Sequence, residues 1–304
     1  MPELPEVETT MRGIFPLIGQ TVSKVIIRHP TLRWPIPKQL PTELPTLKLT
    51  RLRRRAKYIV AEFSRVNQVG SQQTLVGCLI LHLGMSGRIC LLPKDEPAAK
   101  HDHFDIHFTH GQVMRLRDPR RFGAVLWVEG EDADAHVLIK DLGPEPLDAS
   151  FDAEYLFKQL RSRTAPIKTT IMDSHLVVGV GNIYASESLF RARINPKTAA
   201  NKVTKSQCAR LVAEIKATLS EAIEAGGSSL RDFFGADGNP GYFQQTYFVY
   251  GRTNEPCQVC QKPILQIKQG SARPFIAVIA SVNAGVVVRH VHARNCAHAL
   301  GDDL

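Results

Sequence analysis

The chain opens with Met1-Pro2-Glu3-Leu4-Pro5-Glu6-Val7-Glu8-Thr9, and this stretch predicts a helix that begins almost at the N-terminus. Pro5 suits the first helical position, where a backbone N–H is not needed. Val7, Met11 and Ile14 then form an apolar stripe at helical spacing. A helix in this place holds the first residues of the chain rigid.

The same stretch places a proline directly after the initiator methionine. Removal of Met1 leaves Pro2 with a free secondary amine, and an α-amino pKa of about 7.7 to 8.0 leaves part of it unprotonated at neutral pH. An unprotonated amine can attack an electrophilic carbon. Glu3 and Glu6 are close enough to position it and to move protons around a covalent imine. The plainer interpretation, a solvated lead-in to a helix, is compatible with this one.

From about residue 21 to 129 the chain has the pattern of short β-strands. Branched or aromatic runs alternate with turn signals such as His110-Gly111. The predicted strands are 25–27, 58–63, 75–83, 104–108 and 125–128. Several short strands at this spacing predict a β-sandwich.

After Phe151 the apolar period becomes helical. Thr204 and Gln207 form a predicted capping box, and Gly226-Gly227 ends the helix. The apolar face of this helix consists of Leu211, Val212, Ile215, Leu219 and Ile223. The second domain is therefore predicted to be mainly α-helical.

Between two shorter predicted helices, a glycine-containing turn at 175–184 brings Asn182 to the start of a helix. Exposed amides and the helix dipole at such a position bind phosphate. A turn without a ligand is the alternative.

A chain of 304 residues with 43% hydrophobic residues has enough material for two folded domains. No apolar run approaches the roughly 20 residues that span a bilayer, and the N-terminus lacks the features of a signal peptide. We therefore expect a cytoplasmic protein with no membrane partner. The net charge of +9 suits a polyanionic partner and is only modest evidence for one.

The six cysteines are too sparse for a small disulfide scaffold. Cys78, Cys90 and Cys208 lie in apolar surroundings and are predicted core residues. Cys257-Gln-Val-Cys260 has the spacing with which two thiolates bind one zinc ion from a tight turn. The pair therefore indicates a structural zinc site.

Several motifs in register from residue 1 to about 270 resemble the formamidopyrimidine-DNA glycosylases, bacterial repair enzymes that excise oxidised purines such as 8-oxoguanine. Leu4 and Val7 favour this branch over the related endonuclease VIII branch. The matching motifs are the opening stretch, 54–58 (Arg-Arg-Ala-Lys-Tyr), 81–87 (Leu-His-Leu-Gly-Met-Ser-Gly), 100–103 (Lys-His-Asp-His), 118–123 (Asp-Pro-Arg-Arg-Phe-Gly), 179–187 and 237–243.

The resemblance implies an α+β protein that begins with a leading helix. A catalytic antiparallel β-sandwich is expected over 1–135, with a linker over 136–150. A helix–two-turns–helix DNA-binding domain is expected over 151–247, and a zinc-finger region over 248–304.

The resemblance also implies a bifunctional DNA glycosylase and AP lyase of base excision repair. Pro2 forms a Schiff base with the sugar, and β- and δ-elimination follow. Glu3 is the general acid or base, Glu6 helps to position the amine, and Lys57 assists β-elimination. The expected partner is double-stranded DNA with oxidised bases or abasic sites, bound by a monomer.

Three DNA-contacting residues are assigned by the resemblance to the hole left by a flipped nucleotide: Met85, Arg120 and Phe122. A wedge of this kind unstacks a base step, and the free-energy cost of unstacking is offset by contacts to the bent DNA. The other expected DNA contacts are His101, Arg163, Lys168 and Asn182. The loop 237–243 would cover the extruded base.

The match ends in the zinc finger. Ala277 and Ala280 stand where the family has its second cysteine pair, and Ala272 stands where it has an arginine. We hypothesise that residues from about 271 onward are out of frame, since suitable codons restore both cysteines and the arginine.

As translated, Cys296 and His292 are candidates to complete a zinc site with Cys257 and Cys260. The altered finger also favours an alternative function, that of a weakened or non-catalytic protein that binds lesions or abasic sites.

Overall fold

The structure is a computed structural model that describes residues 2–66, 73–130, 132–227, 247–269 and 275–280. The described chain divides into two compact units, with the boundary between Asp141 and Leu142. The first unit also takes in a short stretch from Ala222, and the described residues from 247 onward belong to the second. Within the described ranges, no helix has the length and apolarity to cross a membrane.

The first unit consists of a leading helix, a short second helix and eight strands. These are α1 (Leu4–Gly13), β1 (Val22–Ile27), α2 (Leu40–Glu43), β2 (Lys48–Arg55), β3 (Tyr58–Val66), β4 (Gln73–His82), β5 (Arg88–Pro93), β6 (Asp102–Phe108), β7 (Gln112–Arg117) and β8 (Ala124–Glu129).

The strands form two four-stranded antiparallel sheets, in the orders β1-β6-β7-β5 and β2-β3-β4-β8. One apolar core includes residues of both sheets, for example Phe104 and Leu116 from the first and Ile59 and Leu81 from the second. Val7 of α1 packs into the same core. The predicted sandwich with a leading helix is therefore confirmed.

The arginine-rich stretch before residue 58 forms a strand, β2, which is not among the strands predicted from the sequence. Its buried residues are Leu49 and Leu52, and the pairing with β3 shifts register between Leu49 and Arg51. That shift breaks the alternation of apolar and polar residues, so the period-2 signal is lost.

A buried ion network fixes the start of β6. The guanidinium of Arg115 is 2% exposed and donates to the carboxylates of Asp105 and Asp102. Asp102 also accepts hydrogen bonds from Arg117 and from the amide of Ala99. Because each buried charge has partners, the polar face of this sheet is held rigidly.

The second unit is mainly helical, and the last elements that the structure describes in it are two paired antiparallel strands. Its elements, with the helix that crosses into the first unit at Ala222, are α3 (Ala153–Leu160), α4 (Ile167–Ile171), α5 (Asn182–Arg191), α6 (Lys205–Glu224), β9 (Ile264–Gln269) and β10 (Phe275–Ala280). The predicted capping box is present, because Thr204 and Gln207 exchange backbone-to-side-chain hydrogen bonds of 2.9 and 3.2 Å.

Candidate active site and DNA-contacting surfaces

The predicted catalytic carboxylates lie at the first turn of α1, directly after Pro2. The amide of Glu3 donates to Oε2 of Glu6 at 2.8 Å, and the Glu3 side chain accepts from the Glu6 amide in return. Both residues are buried, at 2% and 0% exposure. This reciprocal capping box fixes two carboxylates next to the residue that bears the predicted nucleophile.

Lys57 lies in the tight turn between β2 and β3, after Ala56 at a φ of 54°. Arg54 supports this turn, since its Nη1 donates to the Ala56 carbonyl at 3.0 Å. The Nε of Arg54 donates to Oε2 of Glu8 at 2.9 Å. The same guanidinium therefore ties the lysine turn to α1.

The charge on Lys57 is coupled to the two carboxylates. Burial lowers the pKa of the Lys57 amino group below its ordinary value, while the charges of Glu3 and Glu6 act in the opposite direction. Although the residue keeps partial solvent access, its ammonium group lies close enough to both glutamates to feel them. The structure thus brings three of the residues proposed from the sequence, Glu3, Glu6 and Lys57, close to one another.

His82, at the end of β4, is a site residue that was not predicted. Burial, then the charges of Lys57 and Arg33, lower the pKa of His82 to about 4. Its Nδ1 accepts a hydrogen bond from the amide of Gly84 at 3.0 Å. A neutral imidazole therefore connects the lysine to the turn that follows β4. The sequence feature that could have pointed to His82 is a histidine directly after the apolar run at the end of this strand.

The three predicted wedge residues lie on two turns that contact each other. Met85 and Phe122 are 40% and 44% exposed. The guanidinium of Arg120 stacks over the Phe122 ring at 4.9 Å from its centroid. A Cβ on Gly84 would overlap the backbone of Phe122, so the turns pack closely. The structure brings together an aromatic, a thioether and a cation on one exposed surface.

His101 lies beside the second of these turns. Its carbonyl oxygen accepts from the amide of Asp118 at 3.0 Å, and its ring centroid lies 6.4 Å from that of His103. Nε2 of His103 contacts the Asp118 carbonyl oxygen at 2.9 Å. The predicted DNA contact of His101 thus lies in the same unit as the wedge residues.

In the second unit, Lys168 and Asn182 form a pair. Lys168 lies in α4, is fully buried, and donates from Nζ to Oδ1 of Asn182 at 2.7 Å. Asn182 is the first residue of α5, as predicted from the turn at 175–184. Because Lys168 is buried, it fixes the side chain of Asn182 by this hydrogen bond. Its ammonium group also adds positive charge near the start of α5.

Arg163 has a different partner in the same unit. Its Nη1 donates to Oδ2 of Asp173 at 2.7 Å. Both residues line a pocket of about 370 Å³. The other lining residues are Thr164, Ala165, Thr169 and Thr170. The ion pair with Asp173 reduces the positive charge that Arg163 presents to an anion.

Glu187 in α5 binds the segment that leads to the two zinc-type cysteines. Its carboxylate accepts from the consecutive amides of Phe248, Val249 and Tyr250 at 2.8, 3.0 and 2.8 Å. Burial raises the pKa of Glu187 above its ordinary value, and the three amides act against that effect. The sequence motif contained Glu187, but its contact is nonlocal and was not predicted.

Cys257 and Cys260 form the predicted tight turn, with the amide of Gln261 donating to the Cys257 carbonyl at 2.8 Å. Cys257 is buried in a small cluster with Val249 and Ile264. Among the described residues, no group of three or more His, Cys, Asp or Glu is placed to hold a metal ion. A tetrahedral zinc site needs four ligands, and these two thiols would be two of them.

Three sequence-predicted features lie outside the described residues. These are the loop 237–243 and the candidate ligands His292 and Cys296. Cys78, Cys90 and Cys208 are buried, as predicted for core cysteines.

Two family models match the chain. The formamidopyrimidine-DNA glycosylase N-terminal domain matches residues 1–125, and the formamidopyrimidine-DNA glycosylase H2TH domain matches residues 142–234. The chain is 62% identical over 275 residues to the formamidopyrimidine-DNA glycosylase of Methylobacillus flagellatus, which covers 90% of this chain and 94% of that protein. It is 53% identical over 276 residues to that of Thioalkalivibrio sulfidiphilus, with 90% and 97% covered.

Solved structures of DNA complexes have the same fold. A Lactococcus lactis FPG mutant G226P bound to Fapy-dG-containing DNA gives a TM-score of 0.80 at 33% identity, covering 91% of this chain and 98% of that one. The Lactococcus lactis Fpg bound to abasic-site DNA gives 0.80 at 33% identity, with 91% and 97% covered. The observed α+β fold therefore extends over nearly the whole of these relatives.

Proposed function

Because the chain belongs to the formamidopyrimidine-DNA glycosylase family, we propose that it is a bifunctional DNA glycosylase and AP lyase of base excision repair. Its substrates are oxidised purines, such as 8-oxoguanine and formamidopyrimidines, and abasic sites in double-stranded DNA. The observation that supports this most directly is the arrangement of two buried carboxylates and Lys57 around the start of α1.

The first step is a displacement at the sugar. After removal of Met1, the Pro2 amine attacks the anomeric carbon of the damaged nucleoside, the glycosidic bond breaks, and the base leaves with the bonding electrons and a proton. Glu3 acts as the general acid or base at the sugar, and Glu6 holds the Glu3 backbone in place. The product is an iminium between Pro2 and the opened sugar.

Strand cleavage follows from that iminium. The positive nitrogen acidifies the neighbouring sugar proton, a base removes it, and the 3′ phosphate departs in β-elimination. A lysine whose pKa burial has lowered is a better proton acceptor at neutral pH than an ordinary lysine, and this suits Lys57 to the step. A second elimination then expels the 5′ phosphate, and water hydrolyses the imine, which releases the unsaturated sugar aldehyde and regenerates the Pro2 amine.

DNA is bound by residues of both units. Met85, Arg120 and Phe122 fill the space of the extruded nucleotide, and His101 contacts the DNA next to them. Exposure of Met85 and Phe122, which are large apolar residues, supports this role. In the second unit Arg163, Lys168 and Asn182 contribute to phosphate binding, with Asn182 in direct contact and Lys168 as its support.

The alternative, a non-catalytic lesion-binding protein, rests on the altered finger alone. The catalytic end keeps Pro2 and the carboxylates that serve it, so the enzyme is the better supported function.

We further propose a monomer that works in the cytoplasm with one structural zinc ion. The candidate ligands are Cys257, Cys260, Cys296 and His292, and no catalytic step passes through the metal.

Trapping of the covalent intermediate tests the function. Incubation with 8-oxoguanine DNA and borohydride is expected to give a covalent protein–DNA adduct through Pro2. Pro2→Gly and a form that retains Met1 are expected to lose it, while Ser23→Ala on the exposed face of β1 serves as a control. Absence of any adduct with the parent chain would reject the proposal.

A further inference from the structure

The two turns that present the wedge residues are joined by a hydrogen-bond network centred on the buried carboxylate of Asp118. Ser86 follows Met85 in the first turn, and Asp118 begins the second. Oγ of Ser86 donates to Oδ1 of Asp118 at 2.8 Å and accepts from the amide of Arg120 at 3.2 Å. One hydroxyl therefore contacts both ends of the segment that presents Arg120.

Asp118 uses its second oxygen to close the same turn. Oδ2 accepts from the amide of Gly123 at 2.8 Å, directly after Phe122. The side chain of Asp118 has no solvent exposure. The backbone carbonyl oxygen of Asp118 also lies within hydrogen-bond distance of Nε2 of His103, at 2.9 Å. A buried carboxylate of this kind is costly to move, because each lost hydrogen bond removes a donor that compensates for its missing hydration.

The surrounding backbone leaves these turns little alternative conformation. A Cβ on Gly123 would lie 2.8 Å from the His82 carbonyl oxygen and 3.0 Å from Oδ2 of Asp118. Gly84 is held at a φ of +64°. Exposed turns ordinarily open at low free-energy cost. These two turns are exposed but are held by several hydrogen bonds and close backbone contacts.

We propose that Ser86 and Asp118 are positioning residues that hold Met85, Arg120 and Phe122 as one rigid wedge. The inference rests on the wedge role assigned under the proposed function. Insertion into a base stack gains least when the inserted side chains must first be ordered, so a preformed wedge inserts more readily. Ser86 and Asp118 touch no reacting atom and act through the three wedge residues.

The test compares Ser86→Ala with Ser86→Thr, which keeps the hydroxyl, and with Ser23→Ala. Ser23 is a matched control, because its Oγ donates to the carbonyl of His107 on an exposed part of the same unit. Single-turnover base excision is measured on a duplex with 8-oxoguanine opposite cytosine, and strand cleavage on a duplex with a preformed abasic site. Thermal unfolding shows that each variant is folded.

Ser86→Ala is expected to slow excision of the paired lesion by about tenfold, the effect of one lost charge-assisted hydrogen bond. Cleavage at the abasic site should change by less than about twofold, since there is no paired base to extrude. Ser86→Thr should restore excision. Equal losses on both substrates, or no loss on either, would overturn the proposal.

A fluorescent readout separates this proposal from the proposed function. 2-Aminopurine opposite a tetrahydrofuran abasic analogue reports insertion of the wedge without any chemistry. Ser86→Ala is expected to reduce the fluorescence change at saturating protein, and an unchanged signal would count against the rigid wedge. A parent chain that inserts but never excises would reject the enzyme activity alone.

Discussion

The histidine at the end of β4 gives the sharpest prediction for stability. His82 has a pKa of about 4 in the folded protein, and the ordinary value is 6.5. We consider the substitution His82→Asn, because the asparagine Oδ1 can accept the bond that the Gly84 amide now gives to Nδ1. The variant therefore keeps the turn and loses the titration, together with the ring contact to Tyr58, whose contribution does not depend on pH in this range.

The magnitude follows from the shift. The folded pKa lies below the unfolded one, so the unfolded chain binds more protons between pH 6.5 and 4, and folding is progressively disfavoured as the pH falls through that window. A difference of about 2.5 units at 1.36 kcal/mol per unit corresponds to about 3 kcal/mol. The parent should lose this much stability relative to His82→Asn between pH 7.5 and pH 4, and the difference between the two proteins should be constant above pH 7.

The assay is urea unfolding of both proteins at half-unit pH steps, followed by far-ultraviolet circular dichroism. His110→Asn, at an exposed histidine on the turn between β6 and β7, corrects for removal of a histidine as such. If the parent and His82→Asn curves stay parallel across the window, the imidazole is not held neutral by burial and by Lys57, and the reasoning fails.

Two further predictions concern the ends of the chain. Glu6→Leu removes the buried acceptor of the Glu3 amide, so it should lower the free energy of unfolding in urea by about 1–3 kcal/mol and abolish most of the borohydride-trapped adduct. Glu6→Gln keeps an acceptor and should lose less stability and less adduct. Equal stability of the two variants would contradict the capping role. Metal analysis of the purified chain should give one zinc per molecule and a loss in Cys296→Ser, and a metal-free parent would show that Cys257 and Cys260 are not ligands.

Much of the fold could be predicted because its signals are local. The α1 stripe, the apolar strands and the long α6 helix with its capping box all follow from side-chain periodicity and terminal residues. Strand β2 could not be predicted in this way. Its register shift and its outward arginines disguise a strand whose burial depends on the partner sheet.

The candidate site divides in a similar way. Pro2, Glu3 and Glu6 are neighbours in sequence, so their proximity could be predicted. His82, Ser86 and Asp118 make contacts with residues distant in sequence, such as the bond from the Arg120 amide to Ser86, 34 residues away. Such contacts exist only after the sheets have assembled, and a single sequence carries little trace of them.

The three hydrogen bonds that the Glu187 carboxylate accepts from successive amides have a consequence for the segment that leads to the two cysteines. The segment at 248–250 is secured to α5 by hydrogen bonds that do not involve any residue after 250. Residues after 250 add to this attachment, since Arg252 donates to the Phe248 carbonyl and Cys257 packs against Val249. Glu187 therefore links the helical part of the second unit to the cysteine turn, and a substitution that removes its carboxylate is expected to loosen that turn as well.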